Sequence, residues 1–157
     1  MKILLTAAII ILFVTACGNN SGNEKNEPSS PKATGESNSN PAYDPNRGEG
    51  KFKNVEISAT LDGTKAVAGE KIYSVKCGSC HKLSDEKLVG PGWKAVTTRH
   101  TADWIMNFIT NPDEMLNKDP KAQAMLELCL VRMPNQNLSD DDARNVYEYM
   151  RKNDGVK

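Results

Sequence analysis

The sequence has little of several features that would narrow its function at once. Only 6% of its 157 residues are aromatic and 38% are hydrophobic, which is low for one uniformly folded globule and predicts that part of the chain lies outside a core. Neither charge is in excess, because 20 Lys and Arg balance 20 Asp and Glu. Nucleic-acid-binding proteins normally carry a strong basic excess, so this class is disfavoured. Four unevenly spaced cysteines are too few for a disulfide scaffold.

The N-terminus lacks a hydrophobic run long enough to span a bilayer. Ile3 to Val14 is almost wholly apolar but has only 12 residues, whereas a membrane-spanning helix needs about 20. After the positive start Met1-Lys2, this run is typical of a secretory signal peptide. The following Val14-Thr15-Ala16-Cys17 looks like a bacterial lipobox, which predicts a signal peptide at 1–16 and a lipid on Cys17. A plain signal peptide with an incidental cysteine is the alternative.

A polar segment follows the lipobox. Residues 18–50 are mostly Asn, Ser, Gly, Glu, Pro and Lys, and they include no Ile, Leu, Val, Met or Phe. Such a composition cannot offset the entropy lost on ordering, so 17–50 is predicted to be a lipidated, disordered tether. The lipid would anchor the protein to a bacterial membrane, with the domain at 51–157 facing the periplasm or extracytoplasmic space.

The domain is predicted to be all-α, with about four short helices and a helical core at about 62–152. Thr101, Asp119 and Ser139 stand where helix N-caps are expected, and Asn111-Pro112 is expected to stop one helix. So little apolar material predicts a need for a staple or a cofactor. Four residues alternate with polar ones, a pattern that predicts a short strand or an extended segment. They are Val55, Ile57, Ala59 and Leu61. A stripe predicted to be buried on one helix comprises Ala122, Met125, Leu126, Cys129 and Leu130.

The chemistry lies in Cys77-Gly78-Ser79-Cys80-His81. C-x-x-C-H is the attachment signature of c-type haem. On one helical turn, the two thiols can form thioethers with the porphyrin vinyl groups, and His81 can place a neutral imidazole under the iron. A thioredoxin-like dithiol would need a βαβ context, and a zinc site would need a second pair of ligands, so both are weaker hypotheses. A structural disulfide stays open for an exported protein.

With these features the sequence resembles the class I c-type cytochromes over about Asp62 to Lys152. The resemblance implies one haem c, covalently bound through Cys77 and Cys80, at the centre of a small cytochrome c fold. In that family a glycine and an aromatic residue of the first helix pack against an aromatic residue of the last. The residues in these places are Gly69, Tyr73 and Tyr149.

The resemblance also implies the groups around the iron. Family members carry a Gly-Pro after the haem motif, whose proline carbonyl accepts the N–H of the proximal histidine, and Gly90-Pro91 matches. His81 would then be one metal ligand, and a methionine in the loop before the last helix would be the other. Met133 stands there, and Pro134 favours an extended backbone at Met133. His100 is the alternative ligand and would give a bis-His haem.

Further candidates concern the haem propionates and the last cysteine. Arg99, Trp93 and Trp104 could serve the propionates, because guanidinium pairs with carboxylates and an indole N–H is a donor. A solvated charge for Arg99 and core packing for the tryptophans are the alternatives. Cys129 is predicted to pack as a small apolar residue, with a redox or ligand-switch role and an intermolecular disulfide as alternatives.

The resemblance implies a monomeric one-electron carrier rather than an enzyme. A haem with both axial positions filled has no site for a substrate and can only change by one electron. The expected partners are a quinol-oxidising complex or a cytochrome as donor and a terminal reductase or oxidase as acceptor. The stretch Trp104 to Gln136 is similar to small cytochromes associated with nitrous oxide respiration in Bacteroidetes-like bacteria, which implies nitrous oxide reductase as one acceptor. A haem-based ligand sensor with a displaceable Met133 is the alternative.

Overall fold

The computed structural model describes residues 43–157, and in this part of the chain every regular element is helical. The prediction of an all-α fold is confirmed. The predicted signal peptide, the lipidation site Cys17 and most of the predicted tether lie outside the described residues. The helices are α1 (Gly63–Ile72), which a π-helical turn (Tyr73–Cys77) extends, α2 (Val96–Arg99), α3 (Ala102–Thr110), α4 (Pro112–Lys118), α5 (Pro120–Cys129) and α6 (Asp140–Asn153).

Three predicted helix starts are confirmed. The Thr101 hydroxyl accepts the Trp104 N–H at 3.2 Å at the start of α3. The Asp119 carboxylate accepts the Ala122 N–H at 2.8 Å at the start of α5, which has a proline in its first turn. Ser139 begins α6 in a reciprocal capping box with Asp142. These caps satisfy N–H groups that have no partner within their own helix.

One further expectation is confirmed and another needs correction. Asn111-Pro112 ends α3 as expected, and Pro112 then becomes the first residue of α4. Proline is well suited to that position, since its fixed φ matches the helix and its missing N–H has no partner there. Leu130 was expected on the buried stripe of α5 but is 84% exposed. It adopts a left-handed backbone with φ of 62° as α5 ends, which turns it away from the stripe.

The first and last helices cross at a point where only glycine fits. A Cβ atom on Gly69 would lie 2.5 Å from the Asn145 carbonyl carbon and 2.9 Å from the Tyr149 Cβ. Next to this crossing, the rings of Tyr73 and Tyr149 pack with centroids 5.4 Å apart. The missing side chain therefore lets α1 lie directly on α6, which places the turn that follows α1 against the core.

The segment Tyr43–Val55, called the strap below, runs in extended and turn conformations over α3 to α5. The buried Asn107 side chain donates to the carbonyls of Arg47 and Phe52, each at 3.0 Å, and accepts the Phe52 N–H at 2.8 Å. The Asp103 carboxylate accepts two further strap N–H groups, each at 2.7 Å. Side chains of α3 thus take the place of a neighbouring strand for the strap backbone.

The strap includes residues 43–50, which the sequence assigns to the tether. In the structure these residues contact the domain: the Tyr43 hydroxyl donates to Asp119 at 2.6 Å, and the Glu49 N–H lies 3.0 Å from the Met115 sulfur. The composition gave no sign of this packing, because polar and glycine-rich residues bind here mainly through their backbone rather than by apolar burial.

The alternating residues Val55 to Leu61 form an extended segment and no strand. Val55 and Ile57 pack on the core, as the alternation requires. The backbone carbonyls of the segment are bound by an arginine instead of a neighbouring strand, since the Arg151 guanidinium donates to Ser58 O at 2.7 Å. Arg151 is itself paired at 2.8 Å with Glu148, which is fully buried.

No helix within residues 43–157 combines the length and the apolar character needed to cross a membrane.

Replacing Gly69 tests the helix crossing. We expect Gly69→Ala to lower the free energy of unfolding by about 1–3 kcal/mol, because the added methyl group meets backbone atoms that cannot move away. Gly63→Ala is the matched control in the same helix, where a Cβ meets nothing within 4 Å, and it should cost nothing or stabilise by up to about 1 kcal/mol. Guanidinium unfolding of both haem-containing variants measures this, and equal midpoints would contradict the close approach.

Candidate haem site

One turn brings the cysteines and the histidine of the motif together. Cys77 is the last residue of the π-helical turn, and its carbonyl accepts the N–H groups of Cys80 at 3.0 Å and His81 at 2.9 Å. Cys77 is buried and Cys80 half-buried, and both are free thiols. Burial raises the pKa of the Cys77 thiol to about 11, so this thiol is protonated at neutral pH. The two thiols form no disulfide in the structure, so both sulfur atoms are free to bond to another group.

His81 is oriented by its surroundings. Its Nδ1–H donates to the Pro91 carbonyl at 2.8 Å, and its ring centroid lies 5.6 Å from that of Trp93. A Cβ atom on Gly90 would come within 2.8 Å of both ring nitrogens, so the loop can approach the ring only with glycine there. Burial lowers the pKa of His81 and outweighs the hydrogen bond to Pro91, which acts in the opposite direction. The result is a neutral imidazole whose Nε2 is free to bind a metal.

Three cavities lie around this histidine. Their volumes are about 440, 330 and 210 Å³. His81 and Met133 line all three, and no other residue of the described chain does so. Cys80 lines the second cavity, and both cysteines line the third. The candidate residues that line the largest cavity are His81, Pro91, Trp93, Arg99, Trp104 and Met133.

Met133 lies in the irregular loop between α5 and α6 and is half-buried against the core. The neighbouring Pro134 lines the two smaller cavities, so the loop itself forms part of their walls. Met125 lines the two larger cavities from α5 and is therefore the nearest alternative to Met133 among the methionines as a candidate metal ligand. Met106 and Met115 belong to the buried core instead, with exposures of 3% and 0%.

His100 carries a buried ring nitrogen that no described residue binds. Its ring stacks on Trp104 with centroids 4.1 Å apart and an angle of 15° between the planes. Its Nδ1 has no hydrogen-bond partner within residues 43–157, although His100 lines the largest cavity. Burial, together with the charges of Lys121 and Arg99, lowers the pKa of His100 to about 4. A polar group placed in this cavity would find an available nitrogen there.

The propionate candidates differ in their available donors. Arg99 is exposed and donates to the carbonyls of Lys94 and, at 3.1 Å, Gly92, which leaves part of its guanidinium free at the cavity. Trp93 is 5% exposed and lines two cavities. Trp104 also lines the largest cavity, but its indole N–H donates to Asp119 at 3.2 Å. Because an indole has a single donor, this bond leaves none for a propionate.

Cys129 and Asp119 have surroundings that the sequence does not indicate. Cys129 is half-buried and lines the two larger cavities together with Met133, rather than lying deep in the core. Asp119 begins α5 as predicted, but it also accepts the indole N–H of Trp104 and the hydroxyl of Tyr43. No local pattern marks this second role, because its two partners are 15 and 76 residues away.

Comparison with known proteins identifies the family. A sequence profile described as cytochrome c matches residues 66–154, more than half of the chain. The chain belongs to the cytochrome c family. A search of curated proteins found no match. Among solved structures, cytochrome c from Rhodothermus marinus is similar, with 31% identity over 67% of this chain and 90% of that chain and a TM-score of 0.64.

Two engineered forms of the Rhodothermus marinus cytochrome c are also similar. One has 30% identity and a TM-score of 0.64, and the other, which is bound to a carbene intermediate, has 31% identity and a TM-score of 0.62. Each comparison covers 67% of this chain and 90% of the other.

Cytochromes c bind haem c covalently through cysteines, and in this cytochrome c the motif cysteines are Cys77 and Cys80. The residues of the site fit that group. Two free thiols lie on one turn beside a neutral imidazole, the cavities are lined mainly by apolar side chains, and the unpartnered nitrogen of His100 suits a porphyrin carboxylate. When bound, haem supplies an iron that changes by one electron.

Gly90→Ala tests how closely the loop approaches His81. The added methyl group would displace the imidazole, so we expect the hydrogen bond from His81 Nδ1–H to the Pro91 carbonyl to be lost. In NMR spectra of the haem-containing protein, the ring N–H proton should then exchange rapidly with solvent. Gly78→Ala is the control inside the motif, because its nearest contact would be an ordinary 3.4 Å. Unchanged proton exchange in Gly90→Ala would contradict the geometry.

Proposed function

We propose that this cytochrome c is a one-electron carrier whose single haem c has His81 and Met133 as axial ligands. The observation that carries the proposal is that, among residues 43–157, only these two side chains line all three cavities, two of which are also lined by a motif cysteine. A flat haem bound through Cys77 and Cys80 would need one axial ligand on each of its two faces, and side chains that border all of the surrounding space are the candidates for these ligands. With both axial positions filled there is no open coordination site for a substrate, so the proposed role is electron transfer and not catalysis.

Residues around the ligands would set the redox properties. The Pro91 carbonyl fixes the orientation of His81 and increases the basicity of its Nε2. A thioether ligand from Met133 favours the reduced iron, and the apolar walls exclude water, so both raise the potential relative to a bis-His or solvated haem. Little needs to move when the charge changes, because the His81 ring is held by its bond to the Pro91 carbonyl and Met133 packs against the core.

The propionates are proposed to lie towards Arg99 and His100. The free part of the Arg99 guanidinium can pair with a carboxylate, and the unpartnered His100 Nδ1 is within the same cavity wall. Trp93 lines this cavity and can contribute its indole N–H. This assignment leaves Trp104 as a wall residue and His100 as a propionate neighbour rather than an axial ligand.

The cellular setting is proposed from the sequence. Lipid on Cys17 would hold the protein on a bacterial membrane, with the domain in the periplasm or extracytoplasmic space. The protein would act as a monomer that takes electrons from a quinol-oxidising complex or a cytochrome and passes them to a terminal reductase or oxidase. Nitrous oxide reductase is the first acceptor to test. Contacts between such redox partners are typically small and short-lived.

Met133→Ala tests the axial ligand. We expect it to remove the far-red absorption band that methionine ligation gives to oxidised low-spin haem, to lower the midpoint potential, and to create carbon monoxide binding to the reduced protein. Met125→Ala is the matched control, because Met125 lines the two larger cavities but not the third. Optical spectra of both variants with and without carbon monoxide provide the measurement.

Other results of these spectra would indicate a different function or a different second ligand. A wild-type protein that binds carbon monoxide readily would overturn the carrier and favour a haem-based sensor with a displaceable Met133. A low-spin wild-type haem without the methionine band would assign the second ligand to His100. The band persisting in Met133→Ala but not in Met125→Ala would assign it to Met125.

Cys17→Ser tests the anchor. Without an acceptor for the lipid, we expect the full-length protein to move from the membrane fraction to the soluble fraction or to keep its signal peptide, since stable attachment needs acyl chains. Metabolic labelling with a fatty acid, followed by fractionation, measures both effects. Cys129→Ser is the control and should keep the label. A labelled Cys17→Ser protein would contradict lipidation at this site.

A further inference from the structure

The strap lies outside the part of the chain that matches the cytochrome c family, yet it is joined through Asp119 to Trp104, which lines the haem cavity. The family match begins at residue 66, whereas the strap ends at Val55. Tyr43, near the start of the described chain, donates its hydroxyl hydrogen to Asp119 at 2.6 Å. Burial and the bond to Asp119 both raise the pKa of Tyr43, so the phenol remains a donor throughout the neutral range.

Asp119 is a fully buried carboxylate with three donors. Its Oδ2 accepts from Tyr43 and from the Trp104 indole at 3.2 Å, and its Oδ1 accepts the Ala122 N–H at 2.8 Å. The cap of α5 needs only the last of these bonds. The other two join the strap to α3, so the carboxylate has a role beyond starting its own helix.

Trp104 connects Asp119 to the cavity, because it binds this carboxylate and lines the cavity wall. Its indole is the middle member of a stack, with the His100 ring 4.1 Å away on one side and the Phe108 ring 5.2 Å away on the other. All three rings line the largest cavity. The hydrogen bond to Asp119 fixes the rotation of the Trp104 ring. The fully buried carboxylate of Asp119 therefore lies behind the part of the cavity wall that Trp104 forms.

We propose that Tyr43 and Asp119 are positioning residues of the redox site, which tie the strap to the haem cavity through Trp104 and lower the midpoint potential. This inference rests on the proposed one-electron function. A negative charge in a poorly screened position favours the oxidised haem, which carries one more positive charge than the reduced haem. The Tyr43 hydroxyl offsets part of that negative charge by its hydrogen bond, so release of the strap would shift the potential further down.

The two residues therefore predict shifts of opposite sign. Asp119→Asn removes the charge but keeps an oxygen for the α5 cap, and we expect the midpoint potential to rise. Tyr43→Phe removes the hydroxyl but keeps the ring, and we expect a smaller fall. A purely structural loosening of the cavity would shift both variants in the same direction.

The test uses the full-length, haem-containing protein, with spectroelectrochemical titrations at neutral pH in low and high salt. Asp103→Asn is the matched control, since Asp103 also binds the strap, through the N–H groups of Asn54 and Val55, but is only half-buried and does not bind the Trp104 indole, whose N–H donates to Asp119. Its potential should equal that of the wild type. The Trp104 indole N–H signal in NMR spectra should move in Asp119→Asn and remain in place in Asp103→Asn.

Unchanged potentials, or shifts of equal sign in Asp119→Asn and Tyr43→Phe, would overturn the inference. If Asp119→Asn does not fold with haem, Tyr43→Phe with its conservative ring decides alone, and a potential equal to that of Asp103→Asn overturns it. The far-red methionine band separates this failure from that of the proposed function. If the band is present in every variant while the potentials agree, only the role of Tyr43 and Asp119 fails.

Discussion

The bond between His81 and the Pro91 carbonyl is the contact on which the site depends. An imidazole can bind a metal only when it is neutral and correctly turned, and here burial keeps it neutral while a carbonyl at 2.8 Å sets its rotation. Gly90 allows the loop to approach closely enough for this bond. The crossing of α1 and α6 at Gly69 then places the turn that follows α1, which carries the cysteines and this histidine, against the core.

The rest of the fold holds a large apolar space open between short helices. Many core residues around it are also cavity residues, among them Ile105, Ile109 and Met150. A chain of this composition has few apolar side chains to bury, and a porphyrin is itself a large apolar body that can complete the core. Haem is therefore expected to be a structural component as well as the redox group.

Buried and half-buried polar side chains bind the N-terminal part of the described chain to the domain, where few apolar residues are available to pack. Asn107, Asp103 and Arg151 each bind backbone groups of an extended chain that has no strand beside it. Each such bond satisfies a buried or half-buried backbone group that would otherwise be costly. This explains how a polar, glycine-containing segment can pack on a domain although its composition predicts disorder.

The sequence by itself determined the all-α class, the three helix caps and the haem attachment motif. The class follows from helical periodicity along the domain, and each cap and the motif lie within about one helical turn, so none of them needs a distant partner. The tertiary structure alone decided that Leu130 faces solvent, that the Trp104 indole binds Asp119 instead of facing a propionate, and that the strap belongs to the domain. The family resemblance implied that His81 and Met133, 52 residues apart in sequence, share one site, but only the tertiary structure shows them bordering the same cavities. These features depend on which distant groups meet when helices pack, and single hydrogen-bond donors and close approaches leave no periodic signal in the chain.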